Sequence, residues 1–413
     1  MNTRIVTGSA VAAMLLLVTA GCGSKKAPEP GAAGGGGSSV LTLGASISLT
    51  GATAKEGGLT KEGYEICKKV VNDKGGFTAG GTKYTLDVQY QDDTSKADVS
   101  AQLVDQYNDK NIKLILGPYG SGPTEAAAAV IERNRQVMAD SAGADDKIFK
   151  KGYQRSFAVL SPATFYVASM VQAINDLADP KPKTIAFISA DDGFSKTATQ
   201  GGLDKAKELG FQVVATEYVP NQTADVSAAL TKIKPLKPDV IIGSVHLSEG
   251  VAIVRQAKEL GVTPAGGFAE TVAPPIPDFA KTLGDAANGV LGSTQWTPKM
   301  SGSDKYFGSA ADYAKTFAAQ YGGREPVYQN AQATAACLAL VLAVEKAGST
   351  DPDKVRDAFS ALDTPSFFGP IKFTPQGMNV TKPMAVIQIQ DGKPVTVWPK
   401  DSAQAPLKWP ASR

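Results

Sequence analysis

The segment GSGPTEAAAAV combines residue types that together can bind an anion. Gly120 and Gly122 let a ligand approach the backbone closely, and Pro123 favours the first turn of a helix. The free N–H groups and the dipole of a helix N-terminus attract negative charge, and Ser121 adds a hydroxyl donor. The same serine could instead be an ordinary helix cap. The motif therefore indicates a carboxylate site without requiring one.

Other chemistry is limited by the scarcity of two residue types. The chain has one histidine, His246, and three cysteines, so it cannot build a His-rich metal site or a four-cysteine zinc site. It also lacks a G-x-S-x-G motif, and one histidine is little to activate a cysteine nucleophile. A lone histidine is more often a structural hydrogen-bonding residue than a ligand contact. We expect no metal, no cofactor and no enzymatic activity.

Length and composition describe a globular chain of two domains. Its 413 residues exceed the usual domain size of about 100–200 residues. Hydrophobic residues make up 43% and charged residues 20%, which excludes collagen, coiled coil and disorder of the whole chain. Forty-two basic residues balance forty acidic ones, so no net charge points to a nucleic-acid partner.

The N-terminus has the layout of a secretory signal peptide over residues 1–21. Arg4 gives a positive start, and the apolar stretch that follows is shorter than the roughly 20 residues that span a bilayer. Its end, VTAGC, resembles a bacterial lipobox, in which Cys22 would be lipidated after cleavage. A plain signal peptide with an incidental cysteine is the alternative. We expect an extracytoplasmic protein held at the bacterial cell membrane by its lipid.

Residues 22–39 are rich in glycine and serine and predict a flexible tether between the lipid and the folded body. No later stretch is apolar enough to span a membrane. The other two cysteines, Cys67 and Cys337, fall in an amphipathic helix and in the apolar run AACLALVLAV. An extracytoplasmic location permits a disulfide between them. Their apolar surroundings favour two buried free thiols instead.

From Val40 onward, predicted strands and helices alternate. The run VLTLGASI, the alternating YTLDVQYQDD and the short KLILGP read as strands, each followed by a helical pattern. The same rhythm restarts after Ser161. Such alternation predicts an α/β protein with parallel sheets. In open parallel sheets ligands bind beyond the carboxyl ends of the strands, so we expect functional residues directly after strands.

Several segments, in their order and spacing, resemble the type I periplasmic solute-binding proteins of ABC transporters, in particular the branched-chain amino acid-binding branch. The resemblance covers about residues 40–399. It rests on SLTGATAKEG, NDKGG, YQDDTS and LGPYGSGPT in the first half, and on HLSEGVAIVRQAKELG, GFAET and FFGPIKF in the second.

This resemblance implies two Rossmann-like lobes joined by a hinge of three crossovers, with a ligand in the cleft between them. Transferred to this chain, the N-terminal lobe comprises residues 40–160 and 299–369. The C-terminal lobe comprises residues 161–298 and 370–413.

The resemblance also implies which residues hold the head group of an amino acid. Ser121 occupies the position of the carboxylate-binding serine, and Glu270 that of the acid that binds the ammonium group. Ala142 takes the place of a backbone ligand. Ala144 replaces a threonine whose hydroxyl binds the ligand, and the loss of such a charge-assisted bond, worth roughly 1.5–3 kcal/mol, is significant.

Three positions that resemble the side-chain pocket of the branched-chain binder no longer carry tyrosine. Phe194 and Val245 would be walls of that pocket, and Glu56 would favour a hydrogen-bond donor or a positive group, unless it lies on a solvated surface loop. The adjacent acids Asp92 and Asp93 correspond to a structural position in the family.

These inferences predict a lipid-anchored receptor that binds an amino acid, amide or related small polar solute and delivers it to an ABC permease. We expect a monomer. An extracytoplasmic sensor module of the same fold is the alternative, and an amide hydrolase is disfavoured.

Overall fold

The computed structural model describes residues 38–410, which form an α/β body. The predicted signal peptide, Cys22 and the tether up to residue 37 lie outside the described residues. The strands are β1 (Ser39–Ile47), β2 (Phe77–Ala79), β3 (Thr82–Asp92), β4 (Leu114–Leu116), β5 (Val137–Asp140), β6 (Ser156–Ala158), β7 (Thr184–Ala190), β8 (Gln212–Val219), β9 (Val240–Ser244), β10 (Phe268–Glu270), β11 (Leu291–Thr294), β12 (Ser303–Asp304), β13 (Gly308–Ser309), β14 (Asp363–Thr364), β15 (Ile371–Lys372), β16 (Ala385–Gln390) and β17 (Lys393–Trp398).

Helices follow most of these strands, as the alternating pattern predicts. They are α1 (Ala54–Asp73), α2 (Ala97–Asp109), α3 (Ser121–Asn134), α4 (Asp146–Phe149), α5 (Thr164–Leu177), α6 (Gly193–Glu208), α7 (Ser227–Ile233), α8 (Leu247–Leu260), α9 (Pro277–Leu283), α10 (Ala310–Gln320), α11 (Tyr328–Ala347) and α12 (Pro352–Ser360). Short 3₁₀ turns cover Lys234–Leu236, Gly284–Ala287 and Lys400–Ser402.

Two large sheets organise these elements into two lobes. The first sheet has the order β2-β3-β1-β4-β5-β6 and is parallel except for β2. The second has the order β17-β16-β11-β10-β9-β7-β8, in which β16 runs antiparallel to both of its neighbours, β11 and β17. We call the first sheet with α1–α4 and α10–α12 the first lobe, and the second sheet with α5–α9 the second lobe. The prediction of parallel α/β sheets is confirmed.

The chain passes between the two sheets three times, after β6, after β11 and after β15, and side chains tie the passages together. The backbone N–H of Ser161 donates to Gln295 Oε1 at 3.0 Å, and Gln295 Nε2 donates to the Ser161 carbonyl at 3.2 Å. Ser161 Oγ donates to the carbonyl of Lys382, whose own buried ammonium donates to the Gln295 carbonyl. One residue from each crossover therefore takes part in a single hydrogen-bonded cluster.

Cys67 on α1 and Cys337 on α11 form a disulfide, so the preference for two free thiols was wrong. Their Cα atoms lie 6.2 Å apart although 270 residues separate them in sequence. Both cysteines are fully buried, as their apolar context indicates. The sequence does not reveal that α1 and α11 pack side by side in the first lobe, and this tertiary contact brings the two thiols together.

The long apolar helix α11 is part of the first lobe's core, where most of its residues are buried. Within residues 38–410 no single helix is long and apolar enough to cross a bilayer; only α11 and α12 taken together reach that length and composition, and they are bent by 109°.

Candidate functional site

A small cavity of about 20 Å³ lies between the two lobes at the carboxyl ends of their strands. Its lining comes mostly from residues that follow β4, β5, β7, β9 and β10, together with the first turns of two helices. The residues are Tyr119, Gly120, Ser121, Ala142, Ala144, Tyr166, Phe194, His246, Val272, Tyr328 and Gln332. This is the location that parallel α/β sheets favour for a ligand.

The sharp turn between β4 and α3 places Ser121 at the cavity. Gly120 has a φ of 89°, a conformation that glycine adopts without steric cost, and α3 starts at the next residue. Ser121 Oγ accepts a hydrogen bond from the backbone N–H of Asp145 at 3.0 Å. Its own hydroxyl hydrogen therefore remains available to donate, beside the N–H groups that begin the helix.

Ala142 and Ala144 lie in the loop after β5, next to Ser121. The N–H groups of Ala142 and Gly143 donate to Asp140 Oδ1 at 2.9 and 2.8 Å, which leaves the Ala142 carbonyl as the backbone group that can face a ligand. Asp140 is fully buried, and this burial raises its pKa to about 6 despite the two N–H donors. Ala144 contributes only a methyl group to the cavity wall.

Phe194 and His246 are two of the residues that the second lobe contributes to the wall, together with Tyr166 and Val272. The Phe194 ring lies edge-on to Tyr166 at 5.0 Å and 5.5 Å from the His246 ring. His246 Nε2 is 3.2 Å from Asp192 Oδ2, while its Nδ1 is buried without a partner in the described chain. Burial is the largest single influence and favours the neutral imidazole, but the charge and hydrogen bond of Asp192, together with the charges of Glu249 and Glu56, outweigh it and raise the pKa of His246 to about 9. His246 thus combines its structural hydrogen bond with a place in the cavity wall.

Glu270 ends β10 and is completely buried beside, rather than in, the cavity wall. A Cβ atom on Gly250 of α8 would come within 2.4 Å of Glu270 Oε2, so only a glycine leaves room for this carboxyl group. Neither carboxylate oxygen has a hydrogen-bond partner among residues 38–410. Burial, and then the nearby charge of Glu249, raise the pKa of Glu270 well above its ordinary value.

Glu56 is 3% exposed, which rules out a solvated surface loop. It lies in the first turn of α1 and faces the second lobe, near His246, Glu249 and the backbone N–H of Leu247. Burial is the main reason that the pKa of Glu56 is raised.

Three of the residues singled out in the sequence lie away from the cavity. Val245 packs into the second lobe's hydrophobic core with Ile253, and is fully buried there. Asp92 accepts bonds from the backbone N–H groups of Leu49 and Thr50, while Asp93 holds two serine hydroxyls. Both acids fix the turn after β1.

Sequence reasoning missed a set of cavity residues that are mostly aromatic: Tyr119, Tyr166, Val272, Tyr328 and Gln332. Tyr119 directly follows β4 and Val272 follows β10, so the rule that ligand sites follow strands was a usable signal for both. Tyr328 and Gln332 lie one turn apart on α11, whose apolar remainder made the whole helix read as core.

Direct contacts across the cleft show that the lobes are closed. Thr197 Oγ1 of α6 donates to Asp145 Oδ1 of the first lobe at 2.7 Å, and Lys55 Nζ lies 2.9 Å from Asp278 Oδ2. Because the cavity walls come from both lobes, a ligand can enter only after these contacts open. No group of three or more residues that could ligate a metal occurs within the described part of the chain.

Comparison with known proteins assigns this architecture. A family model described as periplasmic binding protein matches residues 40–394. The chain belongs to the periplasmic binding protein family. A member from Brucella abortus (strain 2308), the Leu/Ile/Val-binding protein homolog 8, is 25% identical over 386 residues, covering 89% of this chain and 92% of the relative. The family membership implies an extracytoplasmic location, and family and neighbours are substrate-binding proteins rather than enzymes.

Solved structures of family members share the fold. The leucine-binding protein LivK from Thermotoga maritima MSB8 has a TM-score of 0.75 at 23% identity, covering 86% of this chain and 97% of LivK. A solute-binding protein of an ABC transporter from R. palustris, in complex with benzoate, has a TM-score of 0.72 at 18% identity, covering 89% and 97%. The predicted fold class, the type I periplasmic binding protein fold, is therefore confirmed.

Proposed function

We propose that this protein is the lipid-anchored substrate-binding component of an ABC importer. It binds an amino acid or a related small polar solute in the cavity between the lobes and delivers it to the permease. The observation that carries this proposal is the pairing of opposite chemistry across one closed cavity. Ser121 and the α3 N-terminus offer donors to a carboxylate, while the buried acids of the second lobe suit an ammonium group.

Several residues then take defined roles. Ser121 donates to the ligand carboxylate, the Ala142 carbonyl accepts from its ammonium group, and Glu270 supplies the countercharge. Phe194 and the tyrosines enclose the ligand's side chain. Ala144 supplies no hydroxyl, so a ligand would be held by fewer hydrogen bonds at this loop than in the branched-chain binder that the sequence resembles.

Binding would shift the lobes from an open to a closed form, which the permease recognises. We place the moving boundaries at the three crossovers, with residues 40–160 and 299–369 in one body and 161–298 and 370–413 in the other. The supporting observation is that the cavity is lined by residues of both lobes, which contact each other directly across the cleft. Water exclusion on closure strengthens the polar contacts inside.

A thermal-shift screen of the full chain against amino acids, amides and aromatic acids tests the binding proposal. A ligand present at 100 times its Kd adds about 2.7 kcal/mol of apparent stability. Small-angle scattering with the ligand so found should show a smaller radius of gyration. A tight ligand that leaves the radius unchanged contradicts closure, and a screen without any ligand contradicts the proposed solute class.

The lipid anchor has its own test, because it rests on the sequence around Cys22. Cys22→Ser should block lipidation and leave either the precursor or a misplaced unanchored form. A variant that matures normally and keeps its lipid-dependent attachment to the membrane rules out the lipobox.

A further inference from the structure

Gln332 on α11 is one of the residues that line the cavity between the lobes. It is only 2% exposed, and its Oε1 has no hydrogen-bond partner among residues 38–410. A buried amide oxygen without a donor is unfavourable, and native proteins seldom leave one in that state. Gln332 is therefore a polar group at the cavity that the protein itself does not satisfy.

Two polar side chains close to Gln332 on α11 do have partners, and these lie inside the first lobe. Asn330 Nδ2 donates to the Leu59 carbonyl at 2.8 Å, and Thr334 Oγ1 donates to the Gly63 carbonyl at 2.9 Å. Both bonds join α11 to α1. Residues two apart on a helix do not share a face, so Gln332, midway between Asn330 and Thr334, lies on another side of α11, at the cavity.

The second lobe supplies a complementary atom to the same space. Among the eleven residues that line the cavity, His246 is the only other one with a buried side-chain polar atom that lacks a partner, its Nδ1. His246 Nε2 is 3.2 Å from Asp192 Oδ2. With a pKa of about 9 the ring is protonated at neutral pH, so Nδ1 carries a hydrogen of its own. The wall thus offers an unused acceptor from one lobe and an unused donor from the other.

A carboxamide matches this pair of atoms, because its N–H group donates to Gln332 Oε1 and its carbonyl accepts from His246 Nδ1. An aliphatic group would exclude water from both atoms without replacing their hydrogen bonds. A cationic group would be repelled by the protonated His246. An anionic group would meet an imidazolium whose charge Asp192 already balances.

We propose that Gln332 is a specificity-determining residue, which together with His246 selects solutes whose side chain ends in a carboxamide over aliphatic and charged ones. This inference rests on the proposed function. There Ser121, Ala142 and Glu270 hold the head group of an amino acid, which leaves Gln332 for the side chain.

Calorimetric titration of the full chain with L-asparagine, L-leucine and L-aspartate tests the inference, because the three side chains have nearly the same shape and differ in polarity and charge. We expect asparagine to bind at least tenfold more tightly than either of the others. Gln332→Met, which keeps the length of the side chain and removes the amide, should weaken asparagine by about tenfold to hundredfold and leave leucine unchanged or tighter.

Gln329→Met on the same helix is the matched control. Gln329 is also fully buried, and both of its amide atoms lack partners among the described residues, but it lies outside the cavity lining. Its substitution should leave the ratio of asparagine to leucine affinity unchanged. Without ligand, Gln332→Met should unfold at the same temperature as the wild type or at a higher one, since the amide oxygen that it removes has no partner.

The inference is overturned if the asparagine-to-leucine ratio is the same in wild type and Gln332→Met, if Gln329→Met lowers it equally, or if leucine or aspartate binds more tightly than asparagine. In these cases the proposed function stands as long as one of the amino acids binds. If no solute of the wider screen binds, the proposed function fails and the inference fails with it. Should Gln332→Met not fold, Gln332→Ala, which removes the amide without filling the cavity, must still lower the ratio.

Discussion

Both faces of the cleft are formed by residues that follow parallel strands. The two faces differ in how many of their buried polar groups have hydrogen-bond partners. In the first lobe the groups around the carboxylate site mostly have partners: Ser121 accepts from Asp145, and the loop N–H groups bind Asp140, although Asp140 Oδ2 and Gln332 Oε1 have none among the described residues. In the second lobe both oxygens of Glu270 and one of Glu249 are buried without a partner. Burial without a partner disfavours the charged form of these acids, and an ammonium group would supply the missing countercharge, so the second face should contribute more to binding.

The lobes also differ in how they are held together. The first lobe contains the Cys67–Cys337 disulfide, while the second has none and relies on burial and hydrogen bonds. The lobe with the disulfide therefore provides the hydrogen-bond donors for a ligand carboxylate, and the other lobe carries the buried acids that a ligand cation would compensate.

The largest effect is expected at Glu270. If the ligand carries an ammonium group, Glu270→Ala leaves a buried cation unpaired, which should cost about 3–5 kcal/mol, or two to three or more decades of affinity. Calorimetric titration measures this loss.

Glu270→Gln separates binding from folding, because it keeps the volume beside Gly250. Its affinity should fall, but its unfolding temperature should not, since the unliganded protein has no cation at this carboxylate. Unchanged affinity in both variants would mean that another acid, with Glu56 foremost, binds the ammonium group.

Removal of the disulfide should have the next largest effect. Cys67→Ala combined with Cys337→Ala opens a loop of 270 residues and should lower the free energy of unfolding by about 2–5 kcal/mol. Hydrogen exchange should show faster opening of the first sheet and little change in the second. A reducing agent should destabilise the wild type and not the double variant. If hydrogen exchange became faster by the same factor in both lobes, the disulfide would not act on the first lobe alone.

A similar effect, about 3 kcal/mol for each group, is expected from the titration of two buried side chains, His246 in the second lobe and Asp140 in the first. Folding raises the pKa of His246 from 6.5 to about 9, so its stabilising charge is fully present below pH 6.5 and is lost as the pH rises through 9. Asp140 also has a raised pKa, about 6 instead of 3.8, so stability decreases as the pH rises from about 4 to 6. Urea unfolding across pH 4–10 measures both.

His246→Gln should remove the alkaline decrease, whereas Asp140→Asn should only reduce the acidic one, because burial also raises the pKa values of Glu56 and Glu270. If a single substitution removed the loss of stability at both acidic and alkaline pH, the titrations of His246 and Asp140 would be coupled.

Much of the fold could be predicted from the sequence because it depends on local patterns. Alternating strands and helices placed Ser121 and Ala142 after parallel strands, where the structure has them. The turn at Asp391-Gly392 joins β16 and β17 with both residues at positive φ. The disulfide could not be predicted, because apolar surroundings show burial but not which buried helices are neighbours.

The cavity was only partly predictable for a related reason. Glu56 and Val245 were selected by position, but their burial depends on how the lobes meet and on which side of β9 a side chain faces. Glu56 is enclosed by the second lobe, whereas Val245 turns into the core. Tyr328 and Gln332 come from α11, far along the chain from the other lining residues, and only the assembled cleft brings them to the ligand space.

The smallest effect is expected at Ser121. Ser121→Ala removes one hydroxyl donor, while the N–H groups at the start of α3 still face the ligand carboxylate. The loss should be about 1.5–3 kcal/mol of binding free energy, again measured by calorimetric titration. Ser156→Ala is the control: this serine is also buried in the first lobe, lies outside the cavity lining and should leave the affinity unchanged.

The order of the two losses shows which end of the ligand matters more. Ser121 Oγ also accepts the N–H of Asp145, whose carboxylate holds Thr197 across the cleft, so Ser121→Ala should weaken closure as well as carboxylate binding. If Glu270→Ala nevertheless lowers the binding free energy more than Ser121→Ala does, the ligand is a zwitterion whose ammonium group is bound by the second lobe. If Ser121→Ala abolishes binding while Glu270→Ala binds like wild type, the ligand is an anion or a neutral amide. The first lobe then contributes most of the binding free energy.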